Sequence, residues 1–510
     1  GGGGSAPASP PYQPPPVPTP VAPLTRISAD SPFTTTCGQT GGTLYHNAEV
    51  EPWIAVNPSD ATNLIAVWQQ DRWSSGGAQG LLTGYSLDGG TTWSRTAPAF
   101  SACAGGSFPR ASDPWITFSP NGTAFQIALV FSGDVRAAGS SSAMLVSRSR
   151  DGGASWDAPV SLTSGQEGAS VFNDKESITA DPNNTLDVYA VWDQLDSNTH
   201  GATWFSRTLD GGDSWGATPT MIFDPGAHNQ TIGNQIVVLP AGDLLLFFTE
   251  IDGIGTNSSS ARFRLLRSTD DGATWPAASA VTVMEELAVG ARDPQTGALI
   301  RDAASLPQVK VSAAGDVYVV AQDARFSGGQ RDGIIVTVSH DGGLNWSSPV
   351  QLNGEPAVQA FVPSVAVRAS DGLIGVTYYD LRHNTSDPST LLTDYWLALS
   401  SDGVSWNDNF LAGPFDLDLA PQANGLFVGD YQSLALQGEA FVPVFVQTTA
   451  AAGDPTDVYE ASYAPAAVME KSRAQLRPML AQAPAVSADF RARVQENLEN
   501  LAGETRQPPR

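Results

Sequence analysis

Cysteine, histidine, methionine and basic side chains are all scarce in this sequence. Its 510 residues hold two cysteines, five histidines and five methionines, and 26 Lys and Arg stand against 52 Asp and Glu. Each scarcity removes a class of function. Five scattered histidines and two cysteines form no Cys/His cluster of the kind that holds zinc. A formal net charge of −26 repels phosphate backbones and anionic headgroups, so nucleic acid and an anionic membrane surface are excluded as partners. No apolar run approaches the length of a transmembrane helix. Cys37 and Cys103 are too few for a disulfide framework. In an exported protein such a pair most simply forms one bridge, here tying the segment before the first repeat to the connection after it. Neither cysteine sits in a nucleophile-like context.

Proline and glycine, in contrast, crowd the N-terminal end. Residues 1–23, GGGGSAPASPPYQPPPVPTPVAP, cannot bury a core and read as a tether. Such a segment suits a secreted, cell-surface or periplasmic protein. A lipid anchor is one form of that reading, although no acylatable cysteine stands in the tether, and GGGGS alone also reads as an artificial linker.

The most informative presence is a repeat. SLDGGTTW (Ser86 to Trp93), SRDGGASW (Ser149 to Trp156), TLDGGDSW (Thr208 to Trp215), STDDGATW (Ser268 to Trp275) and SHDGGLNW (Ser339 to Trp346) share the form Ser/Thr-x-Asp-x-Gly-x-x-Trp. A shortened copy, SSDGVSW, runs from Ser400 to Trp406. The Asp carboxylate is suited to accept bonds from backbone N–H groups and a hydroxyl, closing a tight turn. Gly permits positive φ, and Trp supplies an apolar plug between sheets. Asp88, Asp151, Asp210, Asp270 and Asp341 therefore read as structural. A repeat about every 60 residues calls for a propeller or solenoid.

Each box is preceded by two strand-like apolar runs split by turn residues, as in PWIAVNPSDATNLIAVWQQDR. The run ending in the box is a third strand and the stretch after Trp a fourth. A seventh unit, YQSLALQGEAFVPVFVQTT followed by DVYEASYAP, lacks a box and its own fourth strand, and LTRISA (Leu24 to Ala29) is placed to supply one. The expected fold is all-β: a β-propeller over residues 24–464, with seven four-stranded antiparallel blades favoured and six as the alternative. Residues 465–510 read as a helical or partly disordered tail, more loosely attached than docked. A monomer is expected.

The boxes resemble the Asp box, or BNR repeat, of the sialidase superfamily. That resemblance implies a propeller, a carbohydrate partner and an exo-glycosidase that releases a terminal, sialic-acid-like sugar. It also implies three arginines, an aspartic acid/base, and a Tyr nucleophile activated by Glu. By blade position Arg72, Arg325 and Arg382 would be the arginines, Asp71 the acid, Glu250 the activating Glu, and Tyr378 or Tyr431 the tyrosine. Glu51, Trp73, Asp113, Glu176, Asp323 and Asp380 would line the substrate site beside them. The superfamily's Arg-Ile-Pro has no counterpart at the first strand, where Pro52-Trp53-Ile54 stands, and its sialidases have six blades.

Strand order alone places the site. In a four-stranded meander the turns after strands one and three share a face, so the boxes lie with the short turns. The longer, charged loops lie opposite, where a site is expected at the mouth of the central channel. Arg forks there would bind a sugar carboxylate, and paired carboxylates would serve glycosidic cleavage. Three alternatives use the same residues. Asp-Arg pairs brace loops, a non-catalytic surface propeller binds a glycan, cell-wall polymer or protein, and oxygen-rich loops hold Ca²⁺ although no EF-hand spacing is present.

Overall fold

The computed structural model describes residues 11–38, 41–133, 140–164, 171–196, 200–468 and 486–506, excluding the side chains of 502–506. Residues 1–10 of the expected tether, and 469–485 and 507–510 of the expected tail, lie outside the described residues.

Among the described residues the chain is all-β apart from short 3-10 turns and one helix, Ala488–Arg506. Sorted by hydrogen-bonding partner, most strands fall into seven antiparallel runs of four, and no sheet closes on itself. In the first run Leu44–Val56 pairs with Leu64–Trp73, that strand with Ala78–Ser86, and that with Ser94–Thr96. The next five repeat this order, beginning at Arg110–Phe118, Val171–Ala180, Gln230–Val238, Gln308–Val311 and Ala360–Val367. The seventh holds Ser433–Gln437, Ala440–Thr448 and Thr456–Ala461. Its fourth strand is Leu24–Arg26, in register Leu24 with Ala461 and Arg26 with Tyr459.

The seven first strands contact one another in cyclic order, and the seventh packs back on the first. They enclose a cavity of about 490 Å³ lined by all seven, including Trp53, Ile116, Ile178, Val237, Val309, Val367 and Leu434. Trp53 stacks on Trp115 with ring centroids 3.4 Å apart, and Tyr431 meets both edge-on. At this end the lining mixes Trp, Val, Ile, Leu and Ala side chains with Thr117, Ser177, Thr179, Gln235 and Ser433.

Each box closes its third turn through the same bonds. Ser86 Oγ donates to Asp88 Oδ1 at 2.8 Å, Gly90 N to Ser86 Oγ at 2.9 Å, and Thr92 N to Asp88 Oδ1 at 2.8 Å. Asp151, Asp210, Asp270 and Asp341 accept the equivalent amides at 2.8–2.9 Å. The fixed glycines have positive φ, from 80° at Gly272 to 97° at Gly153. Trp275 and Trp346 are buried, edge-on to Phe205 and Phe247.

Cys37 and Cys103 are bonded across 66 residues. The helix is docked, contrary to the expectation of a loose tail. Phe490, Val494, Leu498 and Leu501 pack with Ile232, Ile251, Leu287 and Leu306 on the face opposite the boxes. Their spacing of three to four residues gives one apolar stripe.

Hydrogen bonds from Ser214 and Thr208 hold the Asp210 carboxyl down to about 2, and Thr274 and Ser268 do the same for Asp270. A carboxyl lowered on folding stabilises the protein above its unfolded value near 4, and that contribution is lost as pH falls toward 2. The melting temperature is therefore expected to drop across that interval. Asp210→Ala should lower it at pH 7 and flatten the acid limb. Calorimetry from pH 2 to 7 checks both, and a flat wild-type profile below pH 4 would refute the account.

Candidate active site

The first strands bulge at one shared position. Pairing slips by a residue at Val50/Trp53, Ser112/Trp115, Asp174/Ser177, Ile232/Gln235 and Phe361/Ser364. The bulged residues Glu51, Asp113, Lys175, Gly233 and Val362 have φ of 58°, 52°, 45°, 69° and 54°. Only one of the five is glycine, so four sites hold a left-handed conformation that L side chains rarely adopt, a form of local strain that clusters at functional sites. The bulge re-aims the side chain, and in the first three runs that side chain is ionisable.

These three residues meet Asp430, Arg301 and Arg72. Lys175 Nζ lies 3.0 Å from Asp113 Oδ2 and also binds Asp430 Oδ2. Arg301 grips the same Asp430 with two bonds, Nε to Oδ1 at 2.9 Å and Nη2 to Oδ2 at 2.7 Å. The Asp430 amide donates to Glu51 Oε2 at 3.1 Å. Arg72 and Arg301 lie over the Phe427 ring, 4.7 and 4.4 Å from its centroid. Both carboxylate oxygens of Glu176, both of Asp193, and Glu51 Oε1 are buried without a hydrogen-bond partner.

Protonation divides the cluster. Burial, then Asp113, pushes Glu51 up to about 8, and burial takes Asp174 to about 7. Glu176 and Asp193 are driven well above the carboxylate range by burial and by Asp113 and Asp174 respectively. Burial acts against Asp430 too, but Arg301 and Lys175 override it and hold its carboxyl far below the usual value. Burial and Arg301 bring Arg72 down to about 10. Neutral and ionised acids thus sit side by side, the arrangement that acid–base catalysis uses.

Of the residues expected from sequence, the structure gathers Glu51, Arg72, Asp113, Glu176 and Tyr431. The Tyr431 hydroxyl donates to Pro114 O at 2.6 Å, and burial, with Glu51 next, raises its pKa well above the usual tyrosine value. The other residues are engaged elsewhere. Arg325 closes on Asp323 at 2.7 Å and on Glu285 O. Arg382 closes on Asp380 and Asp408, both at 2.7 Å, bonds the Tyr378 hydroxyl and stacks on Trp396. Glu250 pairs with Arg262 and Arg264. Asp71 accepts from Asn47 N and Ser31 Oγ, and Trp73 lies under Arg110. Arg72, Arg325 and Arg382 share no bonding partner among the described residues. A carboxylate two residues before Arg325 and before Arg382 captures each guanidinium locally.

Sequence reasoning missed Lys175 and Arg301. Lys175 shows its role only in the repeat alignment, at the residue two before the strand's buried Ser or Trp. Arg301 lies in a long connection after the fourth run, where Ile300–Arg301 pairs in parallel with Leu426–Phe427 from the connection before the seventh. This two-stranded strap covers the charged cluster: Glu51 N donates to Val428 O, and Phe427 packs on Val50.

Removing the shared cation tests this electrostatic unit. Lys175→Met leaves Asp113 without its cation, and breaking such a buried pair costs about 3–5 kcal/mol. Urea denaturation at pH 7 should show that loss, and a change under about 1 kcal/mol would contradict the burial.

No family model matches the chain, and no curated protein matches it. Solved structures do. A Hadza microbial sialidase, Hz136, is 14% identical with a TM-score of 0.45, over 79% of this chain and 74% of its own. An alpha-L-arabinanase of Penicillium chrysogenum, complexed with arabinobiose, is 14% identical with a TM-score of 0.45, over 87% of this chain and 99% of its own. A Trypanosoma rangeli sialidase in complex with the inhibitor DANA is 14% identical with a TM-score of 0.42, over 87% and 60%. Sialidases, whose repeat the boxes resemble, are thus among the structures to which this chain is similar.

Proposed function

We propose that the seven meanders are the blades of a closed propeller, and that its charged axial mouth is the centre of an exo-acting glycosidase for a terminal sugar bearing a carboxylate. The carrying observation is the Glu51–Asp430 unit: the Glu51 carboxyl accepts from the Asp430 backbone amide, and of the two side chains one is kept protonated and the other ionised. A protonated Glu51 is suited to give its proton to a leaving glycosidic oxygen. Arg301 and Lys175 form a fork-and-ammonium grip that a sugar carboxylate would fit. In this structure the Asp430 carboxylate fills that grip. Substrate therefore takes over the place of Asp430, whose connection carries the strap, and the strap lifts to admit it. Tyr431, edge-on to the stacked Trp53 and Trp115 and within the electrostatic reach of Glu51, Asp113 and Glu176, is the nucleophile candidate within this reading.

A second reading, a non-catalytic glycan- or protein-binding propeller on the cell surface or outside the cell, draws on the covered mouth and on Asp-Arg pairs that close on themselves.

Hydrolysis of a panel of fluorogenic glycosides, led by a sialic acid conjugate, separates the two. The enzyme reading expects turnover that falls at least about 100-fold in Glu51→Gln. Because the acid must be protonated, kcat/KM should decline as pH rises through about 8. Arg301→Ala should raise KM for the acidic sugar. The absence of turnover across the panel with folded protein would overturn the enzyme reading, and glycan-array binding would then support the second.

A further inference from the structure

Away from the axis, a second group of carboxylates lies where the first and seventh meanders meet. Glu49 is on Leu44–Val56, while Asp454 and Asp457 flank the start of Thr456–Ala461. One oxygen from each lies within 4.8 Å of the other two. Oxygens sharing one Ca²⁺ at 2.3–2.6 Å are at most about 5 Å apart, so a single ion could touch all three.

The charges here are unbalanced. Arg26 pairs with Asp457 at 2.5 Å and with Asp454 at 3.4 Å. Ser28 Oγ donates to Asp457 Oδ1 at 2.7 Å. Glu49 is fully buried, and its Oε1 accepts from Gln70 Nε2 at 2.6 Å. Its Oε2 has no hydrogen-bond partner, and neither has Asp454 Oδ1. One guanidinium therefore faces three carboxylates and makes no ion pair with the most buried one. A buried carboxylate in that position takes up either a proton or a cation.

We infer that Glu49, Asp454 and Asp457 form a divalent-cation site, with Ca²⁺ the fitting ion, on the seam between the first and last meanders. The donors are all carboxylate oxygen, which selects a hard cation over zinc. Three side chains on two elements do not enforce the octahedron that Mg²⁺ demands, while Ca²⁺ accepts irregular shells completed by water. Asp454 is 19% exposed and gives the ion a route in. Bound there, the ion bridges the strand that begins the ring of first strands to the strand that receives Leu24–Arg26, so binding and folding are linked.

The bland competitor is a protonated Glu49 beside an Arg26–Asp457 pair that needs no metal. Calorimetric titration of the chelator-stripped full chain with CaCl₂ decides between them. The site predicts one ion per chain, with a Kd of about 10⁻⁴–10⁻³ M or tighter. It also predicts a melting temperature that climbs with Ca²⁺. Glu49→Gln should abolish the titration. Asp454→Asn, at a partly exposed position that tolerates change, should weaken it at least about tenfold. No saturable heat and no thermal shift with about 10 mM Ca²⁺ would overturn the site, as would binding unchanged in Asp454→Asn.

Discussion

Three residues far from the C-terminal strands in sequence, Leu24–Arg26, hydrogen-bond to Thr456–Ala461 and complete the seventh run. This pairing covers the outer edge of the run that packs back on the first. Without it Thr456–Ala461 is an exposed edge, a template for other chains. Its contacts with Leu44–Val56, a single parallel bridge between Ala48 and Thr456 and the Thr456 hydroxyl on Glu49 O, would then lack backing. Arg95 adds a second tie, donating to the carbonyls of Ile27 and Ser28 just beyond the strand. The disulfide pins the following segment to the next connection, and removing its 66-residue loop from the unfolded ensemble is worth up to about 4 kcal/mol.

Against that frame the axial cluster is a cost. Desolvating a carboxylate or ammonium takes several kcal/mol per ion, and pairing recovers it only with good geometry. Asp430 has that geometry, with two bonds from Arg301, one from Lys175, and an aromatic floor under the guanidinium. Glu176 and Asp193 do not, and four non-glycine bulges hold positive φ besides. A fold selected only for stability would replace such groups with apolar ones of similar size. Strain and unpaired polar groups concentrated at one mouth therefore point to function.

What was legible in the sequence follows from the range of the interactions. The boxes, their glycines and the strands before them are determined within eight to twenty residues, and repetition multiplies the signal. Even the borrowed strand could be read, because the seventh unit is visibly short by one. The expectation of a site on the face opposite the boxes rested on strand order alone. The side chains at the site were harder. Arg325 and Arg382 look like Arg72 in sequence, each following a carboxylate at a strand end, but Asp323 and Asp380 fold back on them. Arg72 instead turns to Gln69 and Phe427, because Asp71, with φ of 63°, is occupied by Asn47 and Ser31. Arg301 belongs to no repeat, and its partner lies 129 residues away. No local pattern encodes that distance.

The two halves of the axis explain each other. On the box side, Trp53, Trp115 and the aliphatic residues of the first strands make an apolar floor, with Tyr431 at its boundary. On the other side, the strap and the docked helix cover the loops. The charged cluster between them is buried, so its acids cannot all ionise together, and the positions of the cations decide which do. Arg301 enters from the strap and Lys175 from a bulge, and both converge on Asp430. Glu51, joined to the Asp430 backbone rather than to a cation, keeps its proton. Moving the Leu426–Phe427 strand together with Asp430 would therefore do two things at once: it would admit water and ligand beside Arg301 and Lys175, and it would reduce the burial and remove one of the carboxylates that raise Glu51. Access and acidity at this mouth are coupled through one short pair of parallel strands.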